Sequence, residues 1–234
     1  MATIAANIQQ VRARIAAACA AAQRPVQCIT LLAVSKTFPP DAVREAFATG
    51  VCRFGENYVQ EGIDKIAALA DLHGRLEWHL IGPLQGNKTR VVAEQFDWVH
   101  TVDRLKIALR LAEQRPPHLP PLQLCLQVNI SAKASKSGLR PDEVAPLAHQ
   151  VARLPRVRLR GLMAIPEPAT AFEAQREPHR ALRMLFDQLR SQGLPLDTLS
   201  IGMSADLEAA IEEGATLVRI GSAIFGARSA VPPA

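Results

Sequence analysis

A lysine that directly follows an apolar stretch is the first residue of this chain whose position points to chemistry. Lys36 comes after the run Leu31–Ser35, where a buried strand would open to solvent. Partial desolvation and nearby cations lower the pKa of such an amine, and the neutral amine then forms an imine with an aldehyde. The alternative for a lone lysine is a solvated position in a loop.

Two segments near the end of the chain suit an anion. Ser204 follows a short apolar run and precedes a helical pattern, so we predict that it is the N-cap of that helix. Gly202, Gly221 and Gly226 allow the backbone to approach a ligand closely, and Ser222 adds a hydroxyl. Backbone N–H groups in such loops bind phosphate. The alternative is that the glycines only form turns and that Ser204 only caps its helix.

An arginine stands between these two segments. Arg219 shares its alternation face with Leu217 and Gly221, whereas Val218 and Ile220 are large and apolar, so we expect Arg219 to point inward. A lysine that faces a phosphate site, with an arginine beside it, suits a phosphorylated aldehyde with a ring nitrogen, bound as an imine.

Apolar runs that alternate with helical patterns must position these residues. We predict eight strands, namely Ile29–Ser35, Val51–Gly55, Glu77–Gly82, Trp98–Val102, Leu122–Ile130, Val157–Ile165, Thr198–Met203 and Leu217–Gly221. Strands that alternate with helices pair in parallel through right-handed crossovers. Eight such units predict an α/β fold, a closed (β/α)₈ TIM barrel; a doubly wound open sheet is the alternative.

Helical patterns fill the intervals between the strands. They cover Asp41–Thr49, Tyr58–Leu72, Lys88–Gln95, Arg104–Gln114, Pro141–Leu154, Phe172–Gln192 and Ala205–Glu213, and residues 3–22 form an extra amphipathic N-terminal helix. We predict a single domain of residues 1–234. Within it, residues 1–28 form the N-terminal helix and linker, 29–226 the barrel and 227–234 a tail.

The composition of the chain argues against nucleic acid, a membrane and zinc as binding partners. The net charge of +5 is scattered without basic runs, and aromatic residues make up only 4% of the chain, which argues against nucleic-acid binding. No stretch is long and apolar enough to predict a membrane span. The four cysteines are far apart, which predicts buried free thiols, no zinc site and a cytoplasmic location.

Several short motifs stand in order along nearly the whole chain. They are Ala33-Val-Ser-Lys-Thr37, Phe54-Gly-Glu-Asn-Tyr-Val-Gln-Glu61, Trp78-His-Leu-Ile-Gly-Pro-Leu-Gln-Gly-Asn-Lys88, Val128-Asn-Ile130 with Lys136-Ser-Gly138, Gly161-Leu-Met163, Ser200-Ile-Gly-Met-Ser204 and Val218-Arg-Ile-Gly-Ser-Ala-Ile-Phe-Gly226. On these motifs the chain resembles the pyridoxal phosphate homeostasis protein family, whose barrel is similar to the N-terminal domain of alanine racemase.

The resemblance implies the cofactor pyridoxal 5'-phosphate and a set of residues that hold it. Lys36 would be the Schiff-base lysine, Asn57 would lie against the ring, and Arg219 would face the pyridine nitrogen. The phosphate would be held by Met203, Ser204, Gly221 and Ser222. Two residues depart from the usual pattern: Ser222 replaces a threonine and Leu80 a phenylalanine, but Ser222 keeps the hydroxyl and the N–H.

Two functions remain open at this point. The resemblance implies a monomeric carrier in vitamin B6 homeostasis without efficient catalysis, with pyridoxal-phosphate-dependent apo-enzymes as candidate recipients. The alternative is a racemase or decarboxylase, which needs an acid or base on each face of the substrate imine. The only tyrosine is Tyr58, and the chain ends at the barrel, so we expect no second domain to supply another. An aldolase that uses Lys36 alone would not explain the phosphate site.

Four other side chains have two interpretations each. His79 either lines the barrel mouth or is a structural histidine, and Glu56 is either an acid or base or the ion-pair partner of Arg53. Lys88 and Lys136 either attract an anion to the mouth or are solvated loop lysines.

Overall fold

Eight parallel strands close into a barrel. The computed structural model describes residues 3–131 and 136–226. The strands follow one another round the barrel in chain order, with β8 paired to β1. They are β1 Thr30–Val34, β2 Arg53–Glu56, β3 Glu77–Leu80, β4 Trp98–Val102, β5 Leu122–Gln127, β6 Val157–Met163, β7 Thr198–Ser200 and β8 Leu217–Ile220. The predicted barrel is confirmed, and the open sheet is excluded.

The helices lie outside the barrel, one before the first strand, one after the last and the others between successive strands. They are α1 Ile4–Ala21, α2 Pro40–Ala48, α3 Val59–Ala68, α4 Thr89–Gln95, α5 Leu105–Gln114, α6 Pro141–Val151, α7 Phe172–Ser191, α8 Leu207–Glu212 and α9 Ser222–Phe225. The short helix α9 was not predicted from the sequence. It follows β8 directly and begins at one of the two segments that suit an anion.

The N-terminal helix α1 packs against the last helices of the barrel. The Asn7 side chain donates a hydrogen bond to the carbonyl of Ile224 at 2.8 Å, and Arg14 pairs with Glu208 of α8 at 2.9 Å. Ile8, Val11 and Ile15, spaced as the amphipathic pattern predicts, are buried. Helix α1 therefore supports the loops that follow β7 and β8.

Side-chain alternation gives the sheet two different faces. The outer face packs under the helices in a large apolar core that includes Val218 and Ile220. The inner face carries a small apolar cluster near the mouth, formed by Leu32, Val34, Ile81 and Leu217. Residues of the same parity as Leu217, among them Arg219, therefore face the interior of the barrel.

Six of the eight strands end one to three residues earlier than their apolar runs predict, whereas β4 ends where predicted and β2 ends one residue later. β7 ends at Ser200 rather than Met203, because Gly202 takes a φ of +91°, which turns the chain out of the sheet. β5 ends at Gln127 rather than Ile130, since the chain beyond it pairs by a single bridge between Val128 and Leu139. The freed residues form the loops at the barrel mouth.

The predicted N-cap of α8 is wrong. The helix begins at Leu207, and its N-cap residue is Asp206, not Ser204. Asp206 Oδ1 accepts a hydrogen bond from the N–H of Met203 at 2.7 Å, which closes a tight turn around Ser204. The Ser204 side chain is therefore not committed to capping.

The cysteines are free thiols, and only part of the prediction about their burial holds. Cys19 and Cys125 are buried, Cys52 is half-buried and Cys28 is exposed. Cys28 closes a short 3₁₀ turn before β1, at the surface, so the prediction of burial is wrong there. In the described part of the chain, no helix is long and apolar enough to cross a membrane, and no cluster of side chains could hold a metal ion. The predicted tail, 227–234, lies outside the described residues.

Candidate cofactor site

A cavity of about 590 Å³ opens at the C-terminal ends of the strands. This is the end at which barrels of this kind carry their active sites. All seven residues predicted from the sequence line it: Arg219 belongs to β8, and the others follow β1, β2, β7 or β8. The described lining consists of Val34, Lys36, Phe38, Asn57, Ile81, Ile165, Met203, Ser204, Ala205, Arg219, Gly221, Ser222 and Gly226.

Lys36 reaches the cavity from the end of β1. Val34, two residues earlier, belongs to the inner apolar cluster, and Lys36 has the same parity. The lysine is half-buried, whereas Ser35 before it is fully buried on the outer side of the sheet. The amine therefore stands at the boundary between an apolar wall and the open mouth.

Arg219 lies deep at the floor of the cavity and is 4% exposed. Its Nη1 donates to the carbonyl and the hydroxyl of Ser200, at 2.5 and 2.8 Å, and its Nη2 donates to the carbonyl of Ala164 at 2.9 Å. Burial lowers the pKa of Arg219 to about 10, so the guanidinium remains charged at neutral pH. A guanidinium has five N–H donors, so donors remain for a ligand in the cavity that it lines.

A chain of buried hydrogen bonds continues from Arg219 through the barrel interior. Ser200 Oγ lies 2.9 Å from His100 Nδ1, and His100 Nε2 lies 2.9 Å from His79 Nδ1. His79 Nε2 lies 2.8 Å from Glu77 Oε1, which is also bound by Arg53 at 3.0 Å. We call Ser200, His100, His79 and Glu77 the interior chain.

The donors in the interior chain can be assigned because a carboxylate only accepts hydrogen bonds, and a neutral imidazole has one donor and one acceptor nitrogen. His79 therefore donates from Nε2 to Glu77 and accepts at Nδ1 from Nε2 of His100. His100 Nδ1 then accepts the hydroxyl proton of Ser200, whose oxygen accepts from Arg219. Burial lowers the pKa of His79 and holds that of His100 well below its usual value, so both rings are neutral, as this assignment requires.

The loops after β7 and β8 bring two hydroxyls together at the other wall. Ser222 Oγ donates to Ser204 Oγ at 3.4 Å, a long contact. A Cβ at Gly221 would lie 3.2 Å from the carbonyl of Val34, so the residue is closely packed against the end of β1. In α9 the N–H groups of Ile224 and Phe225 both donate to the carbonyl of Gly221, at 2.9 Å, so it is those of Ser222 and Ala223 that have no partner within the helix. Met203 lines the cavity, but its N–H is donated to Asp206.

Asn57 is positioned by close packing of the loops after β2 and β3. A Cβ at Gly82 would lie 1.9 Å from the carbonyl oxygen of Asn57, so only glycine fits there. The carbonyl of Gly82 accepts a hydrogen bond from the Thr101 hydroxyl at 2.8 Å. The backbone of Asn57 is thereby fixed beside the cavity.

The four side chains with two interpretations can now be placed. His79 is fully buried in the interior chain, so it is a structural histidine. Arg53 pairs with Glu77, so the predicted Arg53–Glu56 pair is wrong: Glu56 instead binds Lys65 at 2.8 Å. In a strand, residues three apart face opposite sides. Lys136 pairs with Glu167 at 2.8 Å, and Lys88 lies outside the cavity lining.

Sequence reasoning missed the support of Arg219. Ser200 was read as part of a motif and His100 was not singled out, yet both face the barrel interior beside Arg219. The alternation of inward and outward positions along each strand could have identified them. A polar residue at an inward position must have a hydrogen-bond partner inside the barrel.

Comparison with known proteins assigns the chain to a family. A family model described as alanine racemase, N-terminal domain, matches residues 1–229. The pyridoxal phosphate homeostasis protein of Pseudomonas aeruginosa is 60% identical over the full length of both chains. That of Escherichia coli is 56% identical over 96% of this chain and 97% of its own. The chain belongs to the pyridoxal phosphate homeostasis protein family.

Solved structures agree with this assignment. One similar structure is that of PipY from Synechococcus elongatus, solved with pyridoxal phosphate bound. PipY is 37% identical in sequence to this chain, and its structure gives a TM-score of 0.83 over 96% of this chain and all of PipY. The structure of PipY without the cofactor gives a TM-score of 0.85. An alanine racemase of Clostridium difficile, 15% identical with a TM-score of 0.73 over 88% of this chain and 53% of its own, shares the fold alone.

His79 and His100, the two histidines of the interior chain, predict how stability depends on pH. Their folded-state pKa values are lower than the unfolded value of about 6.5, so the unfolded chain binds more protons in acid. Their contribution is complete above pH 6.5 and is lost as the pH falls below it. We expect His100→Gln to reduce the slope of unfolding free energy against pH, between pH 6.5 and 5, by up to about 1.4 kcal/mol per pH unit.

Urea unfolding at a series of pH values measures this slope. His118→Gln, in an exposed loop, is the matched control and should keep the wild-type slope. An unchanged slope in His100→Gln would show that His100 does not resist protonation in the folded state.

Proposed function

We propose that this protein binds pyridoxal 5'-phosphate as a Schiff base on Lys36 and serves in intracellular vitamin B6 homeostasis without efficient catalysis. The observation that carries the proposal is the convergence on one cavity of the lysine, the arginine and the two serines. These residues come from three separate segments of the chain, at Lys36, at Ser204 and at 219–222, which share no structural need to meet. The family membership and the PipY structure with bound cofactor support the same ligand.

Each part of the ligand has a matching group in the cavity. The hydroxyls of Ser204 and Ser222, with the N–H groups at the start of α9, suit the phosphate. Arg219 suits the ring nitrogen, and Asn57 lies at the side of the cavity where the ring would fit. Lys36 Nζ attacks the aldehyde carbon, a C=N bond forms, and the carbonyl oxygen leaves as water with two protons from the nitrogen.

The arginine disfavours catalysis at this site. Bound pyridoxal phosphate supplies an electron sink that is strongest when its ring nitrogen carries a proton. Arg219 stays charged and only donates, so it holds that nitrogen unprotonated. Among the described lining residues, Lys36 is the one general base, and racemisation needs a second group on the opposite face. Tyr58, 60% exposed, does not line the cavity.

We further propose that the protein works in the cytoplasm as a monomer that hands its cofactor to apo-enzymes. Free thiols at all four cysteines suit a reducing compartment. The exposed large apolar side chains in the described residues are scattered over different elements, as on a monomer surface. The open cavity mouth allows water to reach the imine and release the cofactor.

The covalent attachment is tested with Lys36→Ala. The wild-type protein, incubated with pyridoxal phosphate, should show an imine absorbance band that borohydride bleaches, because Lys36 follows the buried end of β1 and lines the cavity. The variant should lose the band. Lys106→Ala, on the outer helix α5, is the control and should keep it. A variant at Lys36 that retains a borohydride-reducible adduct at full occupancy would place the attachment on another lysine.

The phosphate contact is tested with Ser204→Ala. Because Ser204 is not the helix N-cap, removal of its hydroxyl leaves α8 intact. We expect binding of pyridoxal phosphate to weaken by about 1–3 kcal/mol, the range for a hydrogen bond to a charged group. Binding of unphosphorylated pyridoxal should change much less. Equal losses for the two ligands, measured by calorimetric titration, would argue against a phosphate contact.

The functional claim predicts an absence of turnover. Purified protein loaded with pyridoxal phosphate should racemise, transaminate or decarboxylate amino acids far below the median enzyme turnover of about 10 s⁻¹. Chiral chromatography of D- and L-amino acids measures this. Removal of the protein from the cell should change the levels of B6 vitamers or amino acids. Turnover near the enzyme median would overturn the carrier function in favour of a racemase or decarboxylase.

A further inference from the structure

Three charged side chains outside the barrel form hydrogen bonds with the loop that carries Lys36. Lys65 Nζ, 4% exposed, donates to the carboxylates of Glu56 at 2.8 Å and Glu61 at 2.7 Å. It also donates to the backbone carbonyl of Ser35 at 2.7 Å. We call Glu56, Glu61 and Lys65 the Lys65 cluster.

Both chain neighbours of Lys36 are bound to this cluster. The Ser35 hydroxyl donates to Glu56 Oε1 at 2.6 Å, and the N–H of Thr37 donates to Glu61 Oε1 at 2.5 Å. The backbone carbonyl of Ser35 and the backbone N–H of Thr37 therefore each form a hydrogen bond with a charged side chain, and such charge-assisted hydrogen bonds are stronger than neutral ones.

The Lys65 cluster does not reach the cavity. Glu56 is the last residue of β2, on its outer face with Phe54, while Glu61 and Lys65 belong to α3. None of the three lines the cavity, whereas Lys36 does. Their effect on a ligand must therefore pass through the position of the loop.

The backbone at Thr37 shows what the cluster opposes. Thr37 takes a φ of +68°, in the left-handed region that a β-branched residue disfavours. Strain of this kind persists only where surrounding contacts hold it, and it gathers at functional sites. The hydrogen bond from the Thr37 N–H to Glu61 is such a contact, one residue after Lys36.

The cluster is poorly explained as a device for stability. Glu56 is fully buried, and its Oε2 has no hydrogen-bond partner among the described residues. Buried ion pairs regain little more than their desolvation costs, and replacement by apolar side chains is often neutral. What such a cluster does supply is a defined geometry, and here that geometry is applied to the Lys36 loop.

We propose that Glu56, Glu61 and Lys65 are positioning residues that fix the Lys36 amine for Schiff-base formation. The inference rests on the proposed function and adds to it a second set of residues outside the cavity. Imine formation requires the amine and the aldehyde carbon to meet within a few tenths of an ångström of the reactive geometry, and a displacement of about 1 Å is costly. Non-covalent contacts to phosphate and ring do not depend on the amine in this way.

The test separates imine formation from non-covalent binding. Glu61→Ala removes the acceptor of the Thr37 N–H, and Glu61→Gln keeps an oxygen there but removes the charge. We expect Glu61→Ala to slow the appearance of the borohydride-reducible adduct with pyridoxal phosphate on the order of tenfold. Glu61→Gln should fall between Glu61→Ala and wild type. Asp64→Ala, exposed on the same helix, is the matched control and should behave as wild type.

A ligand without an aldehyde provides the second readout. The affinity for pyridoxine 5'-phosphate, measured by calorimetric titration, should stay within about twofold in Glu61→Ala, since the phosphate and ring contacts are untouched. Equal weakening of both ligands, or an unchanged rate of adduct formation, would overturn the inference while the proposed function stands. Absence of any reducible adduct in the wild-type protein would instead overturn the proposed function. If Glu61→Ala fails to fold, the same comparison is made with Glu61→Gln.

Discussion

A positive charge buried inside the barrel determines how the site is built. Arg219 is 4% exposed, and an unpaired guanidinium at such a position would be strongly unfavourable. Its N–H groups donate to two backbone carbonyls and to the Ser200 hydroxyl. The polar side chains of the interior chain are in turn hydrogen-bonded to one another, from Ser200 to Glu77. Polar residues therefore occupy inward positions of β3, β4 and β7 that apolar side chains usually fill in such barrels.

Lys36 depends on a different solution to a similar problem. The proposed imine requires the amine at a defined position at the mouth, but a lysine side chain has several rotatable bonds and loops are mobile. The fold restricts the backbone on both sides of the residue. Ser35 donates a hydrogen bond to Glu56 and Thr37 donates one to Glu61, and both carboxylates lie outside the barrel. Arg219 is thus fixed by partners inside the barrel, and Lys36 by partners outside it.

Much of the fold and of the site followed from the sequence, for physical reasons. Eight alternating units predicted the barrel, and the carboxyl ends of its strands had to hold the site, so Lys36, Ser204, Arg219, Gly221 and Ser222 could be chosen from the pattern. Asn57 and Met203 were implied only by the family resemblance, and they line the same cavity. The N-cap of α8 could not be predicted from the sequence, because Ser and Asp are equally good N-cap residues. The turn from Met203 to Asp206 decides between them. The partners of Glu56 and Arg219 depend on contacts between elements that one sequence does not display.

The direction of the interior chain bears on which ligand the cavity accepts. Since the carboxylate of Glu77 can only accept and both histidines are neutral, every hydrogen bond from Ser200 to Glu77 is donated in the direction of Glu77. The hydrogen bond from His79 and the charge of Arg53 outweigh burial and lower the pKa of Glu77, which keeps this acceptor ionised. The guanidinium is thus held in one orientation and offers only donors to the cavity. A ring nitrogen with a free lone pair satisfies that arrangement, whereas a protonated pyridinium would set two donors against each other. A cavity that offers only donors therefore favours a ligand whose ring nitrogen is unprotonated, the form in which a pyridine ring is the weaker electron sink.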